Sequence, residues 1–423
     1  MGAFLGLSLL KFGNPIILDK MVGVPTDPLE VLLQPWPVSW GYWILIVLLL
    51  AAIPLCRWRI PKPVWLCLLP LPWLAWQFVS ASQTMDSLLT RSTLIHFVTV
   101  GLCFYLGLFA LAWNRGLKWF WLAVLLGFVA VLGFGFEQHF GGLEATRQYV
   151  FSQPGWESLP AEHLKRIRSD RIFATLFYPN SLAGVILLWL PVLLVGCWQT
   201  TEAMPRVARG VTVGLLGYAG MACLFWSGSK AGWLIAMTLG AVVVIRFQPS
   251  RRMRIGWVAA LVVLGLVAFG IKFAPYFRKG ATSVGARFDY WSAGLKTAWT
   301  NPFLGSGPGT FGLSYKRLKR PEAEMAQLTH NDYLQQASDS GFPSSAAYAA
   351  CLIGSLGVLW KRVQPSAIQF AMWLGLLGFA LQSLVEFGLY IPALAWSAWC
   401  MLGWLWGTSK EGPHTSQEMQ GVA

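Results

Sequence analysis

The chain has 423 residues, of which 56% are hydrophobic and only 12% charged, with 24 Trp and 26 Phe. Soluble domains carry about 25% charged residues, so this composition excludes a soluble enzyme, a disordered chain and a secreted disulfide scaffold. The formal net charge of +14 would point to nucleic acid in a soluble protein, and in so apolar a chain it needs another origin.

Taken in order, apolar runs near the length that crosses a bilayer fall at about 40–56, 63–80, 94–113, 118–136, 180–198, 207–226, 231–247, 255–273, 341–359, 367–387 and 389–406, eleven in all. Lipid cannot satisfy an open backbone, so each is expected as a helix. The fold class is therefore all-α: a polytopic membrane bundle of 11–12 transmembrane helices, one membrane domain over 1–423. A twelfth candidate at about 3–18 is short and carries Lys11 with Gly13-Asn14-Pro15; it either spans or lies at the interface. The seven cysteines lie in or beside apolar runs and form no CxxC pair, which predicts neither a disulfide nor a thiolate metal site.

Basic residues set the orientation. With the loop of Arg57, Arg59 and Lys62 inside, the loops on that side and the tail hold 14 Lys and Arg, against Lys20, Arg91 and Lys230 in the short outer connections. The basic surplus is thus largely topology, and no nucleic-acid partner is expected. Two long loops, about 137–171 and 274–340, then share the outer face, which is periplasmic in a bacterial inner membrane. The first carries Lys165-Arg166 with Arg168 and Arg171 as it enters the next span. A polar cytoplasmic tail, 407–423, is expected to be disordered.

The second loop is the richest in chemistry. Residues 287–300 read as an amphipathic segment, with Phe288, Trp291, Leu295 and Trp299 on one face. Such a segment would lie on the membrane surface and hold Arg287 near the headgroups. The run Gly305-Ser306-Gly307-Pro308-Gly309 follows no βαβ pattern, so a tight loop is expected rather than a nucleotide site. His330 opens a helical stretch and is a side chain suited to general-base work; a lone His at a helix start is also commonly a hydrogen-bonded cap. Asp332 would orient His330 or cap its helix. Pro179-Asn180 breaks a helical run just after Arg171, and broken helices with polar groups at membrane depth mark cavities. Lys230, in Ser227-Gly228-Ser229-Lys230, sits in a hairpin where snorkelling explains it without function.

The spacing of Arg171 with Pro179-Asn180, Ser227-Gly228-Ser229-Lys230, Arg287 with Trp291, Pro302 with Gly305-Ser306-Gly307, and His330-Asn331-Asp332-Tyr333 resembles the O-antigen ligase and O-antigen polymerase superfamily over about residues 90–405. The resemblance implies a metal-independent glycosyltransferase without a cofactor, taking a glycan from an undecaprenyl-diphosphate carrier to an acceptor hydroxyl on the periplasmic face. The acceptor would be lipid A core, another carrier-linked repeat unit, or protein. It further implies His330 as catalytic base and Arg287, Arg171 and Lys230 as diphosphate ligands, with Asn180 and Asp332 in support. Membrane lipids would be the remaining partners.

The chemistry agrees with that assignment. Guanidinium groups bind phosphate oxygens bidentately and stabilise the charge that builds on a leaving diphosphate, while a weakly nucleophilic hydroxyl gains from a base. Two other classes stand beside it: a transporter of a small anion, against which no inverted repeat is found, and a non-catalytic part of a polysaccharide export assembly.

Overall fold

The computed structural model describes residues 1–55, 58, 60, 63–114, 117–158, 164, 167–248, 250–278, 282–363 and 365–408. Lys165-Arg166, Arg57, Arg59, Lys62, Cys56 and the tail beyond 408 lie outside the described residues. No strand occurs among the described residues. The helices are α1 Gly2–Lys11, α2 Pro28–Leu33, α3 Val38–Leu55, α4 Leu71–Ser80, α5 Ser87–Phe109, α6 Lys118–Glu137, α7 Leu143–Ser152, α8 Pro179–Thr200 and α9 Arg206–Trp226. The second half adds α10 Lys230–Phe247, α11 Arg251–Arg278, α12 Thr282–Thr300, α13 Phe311–Leu318, α14 Asp332–Ala349, α15 Ser355–Arg362, α16 Ala367–Gln382 and α17 Pro392–Thr408.

Eight helical stretches among the described residues are long and apolar enough to cross a membrane, fewer than the eleven read from the sequence. The missing ones are helical but shorter: Val38–Pro54 and Ala367–Gln382 are apolar helices, and α17 has 17 residues. Apolar runs were longer than their helices because Leu389 and its neighbours form a 3-10 turn rather than the start of α17. The segment at 3–18 begins with a helix shorter than a span requires. α1 has 10 residues, about 15 Å of rise, half of a ~30 Å hydrocarbon core, and it buries Phe4, Leu5 and Leu9 against α6 and α17.

The core is a sandwich of tightly paired helices: α5 on α17, α8 on α16 and α1 on α6. Glycine allows the closest approach. A Cβ on Gly403 would collide with the Phe104 carbonyl, and one on Gly107 with that of Cys400, so α5 and α17 meet backbone to backbone through small residues, as membrane helices do. Trp396, Trp399 and Trp406 fill α17's remaining faces and are fully buried. By contrast α11 buries only Phe273 and presents Leu264 and Ile271 outward. The six described cysteines are all free.

Backbone hydrogen bonds gather the segments that carry the predicted residues at one end of this bundle. Ile172 N–H donates to the Trp226 carbonyl, Phe177 to Gly13, Ala393 to Phe12, and Asp332 to Ser383. Helix α14 leaves this end and is interrupted at Ser340 and Gly341 (φ 78°). Its kink is lined by buried Gln336, Ser340 and Ser344, all bonded to Gln77 of α4 or to one another.

The Gly305–Gly309 run is the expected tight loop, with φ of 63°, 108° and 79° at its three glycines. Its anchor is Asp339, buried in α14, whose carboxylate accepts from Gly309 N–H (2.9 Å) and Phe311 N–H (3.0 Å), and from Gln335 and Tyr390.

Candidate active site

Four of the predicted residues converge on a fifth side chain that sequence reasoning had placed inside a span, Glu386. It lies in the 383–391 turn between α16 and α17 and is 6% exposed. Its Oε1 accepts from Arg287 Nη2 at 2.5 Å and from Asn180 Nδ2 at 2.5 Å, and its Oε2 faces His330 Nδ1 at 3.2 Å. Asn180 in turn accepts from Arg171 Nη2 at 2.7 Å. Both guanidinium groups and the imidazole are thereby tied to one carboxylate.

Local sequence explains each position. Pro179 occupies the first turn of α8, where its missing N–H costs nothing, and Asn180 follows it. Arg171 comes from an extended segment held by Gln138, whose Oε1 accepts from Phe173 N–H (2.9 Å) and Ala174 N–H (2.8 Å). That clamp maintains Ala174 at φ 52°. The Arg171 Nε donates to the Ser227 carbonyl at 2.7 Å, so the Ser227-Gly228 turn and Asn180 grip the same guanidinium.

Arg287, expected at the membrane surface, is paired inward with Glu386. It points from α12 into the cluster, with Nε to the Val385 carbonyl (3.3 Å) besides its Glu386 pair. Burial is the reason: a guanidinium withdrawn from water requires a carboxylate and oriented carbonyls, and the 383–391 turn supplies both. Elsewhere on α12, Phe288, Leu295 and Trp299 are exposed, whereas Trp291, expected on the same stripe, is partly buried and packs against the cluster of Tyr290, Phe311 and Tyr315.

His330 has φ 54°, a left-handed conformation that is unfavourable without glycine. Asn331, not Asp332, caps α14, accepting from Leu334 N–H at 2.9 Å. Asp332 neither caps the helix nor contacts His330; its Oδ2 accepts from Leu389 N–H at 3.0 Å and fixes the turn that bears Glu386. The imidazole stacks on Tyr290 (ring centroids 5.7 Å) and meets Phe387 edge-on (4.7 Å), remaining 26% exposed. A carboxylate on Nδ1 holds a proton there and leaves Nε2 with its lone pair.

Lys230 is the first residue of α10, with Ser229 as N-cap. Its ammonium does not snorkel away; it lies over the Tyr276 ring, 3.6 Å from the centroid, within electrostatic range of Arg171 and Arg287. Arg171, Arg287 and Lys230 thus gather around one paired carboxylate, Glu386.

Burial tends to raise the Glu386 carboxyl, but the charges of Arg287 and His330, with bonds from His330 and Asn180, outweigh it and hold the group below its usual range. Burial lowers Arg171, Glu386 pulls it back up and Arg287 lowers it again. Arginine nonetheless stays protonated in proteins. The arrangement can hold an anion on fixed guanidinium groups beside an oriented, half-exposed base.

Glu386 escaped the sequence reading, yet it left a signal: it is the only acidic residue between 340 and 408. A lone carboxylate in an intramembrane apolar run is a functional candidate by default.

The family model described as O-antigen ligase matches residues 215–349. That stretch contains Lys230, Arg287, His330 and Asp332, while Arg171, Asn180 and Glu386 lie outside it. The match supports the O-antigen ligase and polymerase superfamily, and with it a glycosyl-transferring role in the membrane for this multi-pass helical chain. No curated protein matches the chain.

Proposed function

We propose that this protein transfers a glycan from an undecaprenyl-diphosphate carrier to an acceptor hydroxyl at the periplasmic face of the bacterial inner membrane, inverting the anomeric centre without a metal ion. The observation that carries this reading is the Glu386 cluster, which couples two partly buried arginines to an oriented histidine.

In this mechanism the carrier diphosphate binds Arg171, Arg287 and Lys230. The acceptor oxygen attacks the anomeric carbon from the side opposite the diphosphate, forming the new glycosidic bond as the old C–O bond breaks. The electron pair of that bond goes to the bridging oxygen, where guanidinium charge stabilises it. The acceptor proton goes to His330 Nε2, and Glu386 stabilises the imidazolium through Nδ1. Polyprenyl diphosphate departs without needing a strong acid. Arg287 and Arg171 are ligands of the reacting group, His330 is the base, and Glu386, Asn180 and Asp332 are positioning residues.

Purified protein in liposomes, given a carrier-diphosphate-linked glycan, tests this. Lipid A core, a second carrier-linked glycan and a Ser/Thr peptide are offered in parallel to wild type and His330→Ala. Transfer to one acceptor that disappears with His330 is expected, and the acceptor consumed names the subclass. Folded wild-type protein that transfers to none of the three refutes the proposal.

A further inference from the structure

A second recess lies at the same end of the molecule but shares no residue with the Glu386 cluster. It is a lateral groove of about 630 Å³ between α3, α4 and α5, with Tyr42, Leu45 and Ile46 on one wall and Leu94, Val98 and Leu102 on the other. Its mouth carries Arg91 and the hydroxyls of Thr84, Ser87 and Thr90. The Gly305–Gly309 loop borders that mouth: Thr90 Oγ1 donates to the Pro308 carbonyl at 2.9 Å, and Met85 N–H to that of Ser306 at 3.0 Å.

Two observations point to a ligand. Arg91 is exposed and makes no ion pair among the described residues, although an outer-facing cation runs against the positive-inside tendency. From Arg91 to Leu102 the α5 wall rises about 16 Å, close to the ~15 Å depth of one leaflet.

We infer that this groove is a binding site for a two-chain anionic glycerophospholipid of the outer-facing leaflet, its phosphate on Arg91 and one acyl chain laid along α5 to Leu102. The leaflet-length wall suits an acyl chain and is too short for a long polyprenyl chain, which also has a separate cationic site in the Glu386 cluster. A volume of 630 Å³ lies within the ~300–1,000 Å³ of sites that enclose a small ligand, enough for one chain and not for a many-chained glycolipid. The bound lipid would brace the Gly305–Gly309 loop from outside, opposite its Asp339 anchor.

Native mass spectrometry of the full-length protein, released from detergent in the presence of phosphatidylglycerol, phosphatidylcholine or a polyprenyl phosphate, tests the inference. Wild type should retain one phosphatidylglycerol in preference to phosphatidylcholine. Arg91→Gln should weaken retention about fivefold, the effect of one basic residue at an anionic lipid surface. Val98→Trp, which fills the groove from a lipid-facing position, should abolish retention while leaving the thermal transition of lipid-free protein unchanged. Equal retention of both phospholipids, equal retention by wild type and Arg91→Gln, or displacement of phosphatidylglycerol by polyprenyl phosphate would each overturn it. None of these readouts depends on glycan transfer.

Discussion

His330 Nδ1 and Glu386 Oε2 stand 3.2 Å apart although 56 positions separate them in the chain. The same carboxylate holds Arg287 through its other oxygen, so anion-binding charge and base orientation depend on one side chain. Glu386→Gln keeps the volume and removes the charge. Transfer should fall about 100-fold or more, the usual contribution of an oriented acid–base group, with the carrier-lipid KM changed less than kcat. Glu386→Asp should recover part of kcat. A Glu386→Gln enzyme with wild-type kcat would remove Glu386 from the mechanism.

Arg287→Lys should lower transfer sharply at equal membrane abundance, because an ammonium retains charge but loses the planar fork. Arg171→Lys should do the same through loss of the paired contacts to Ser227 and Asn180. Kinetics with purified protein at saturating carrier lipid check both, and full activity in either variant would exclude a bidentate role for that residue.

The pH dependence of stability has a definite sign. Glu386 is held below its ordinary value of 4.5 in the folded protein, so its stabilising contribution is complete above about pH 4.5. It is lost as pH falls from there through the lowered folded value. Wild-type Tm should therefore drop on acidification below about pH 4.5 more steeply than that of Glu386→Gln, measured by differential scanning fluorimetry in detergent.

Gly341→Ala should be strongly destabilising without touching the cluster. Its φ of 78° is unfavourable for any side chain, and the added Cβ would collide with the Phe303 carbonyl. A cost of about 1–3 kcal/mol is expected from the strain alone, visible as a lowered Tm and reduced detergent-resistant yield.

Asp339→Asn should loosen the Gly305–Gly309 loop. The carboxylate accepts from two backbone N–H groups and two side chains on its two oxygens, and an amide replaces one of those acceptors with an NH2 donor. Protease sensitivity should rise within residues 301–320, read by limited proteolysis and mass spectrometry.

Much of this architecture is legible in residue order. Apolar runs dictate helices because lipid leaves the backbone no other partner, and the sequence-read spans coincide with helices in α6, α8, α9 and α10. Helical periodicity found the exposed Phe288, Leu295 and Trp299 but wrongly put the inward-packed Trp291 with them, and the Gly305–Gly309 turn was readable from its glycines. What composition could not supply was helix length: a hydropathy run does not distinguish α1, a 10-residue buried helix, from a span, since burial in protein and in lipid select the same side chains.

The candidate residues, too, were visible singly but not as an assembly. Arg171, Asn180, Arg287 and His330 stand out as polar groups at span ends, whereas Glu386 looked like part of an apolar run and Asp332 like a cap. Their partners are decided by contacts between elements up to 206 positions apart, as Asn180 is from Glu386. Sequence alone determined the chemistry available, because residue type and local periodicity are local properties. Only the tertiary structure decided which carboxylate neutralises Arg287 and orients His330, because a charge withdrawn from water must find its partner wherever packing brings one within hydrogen-bond reach.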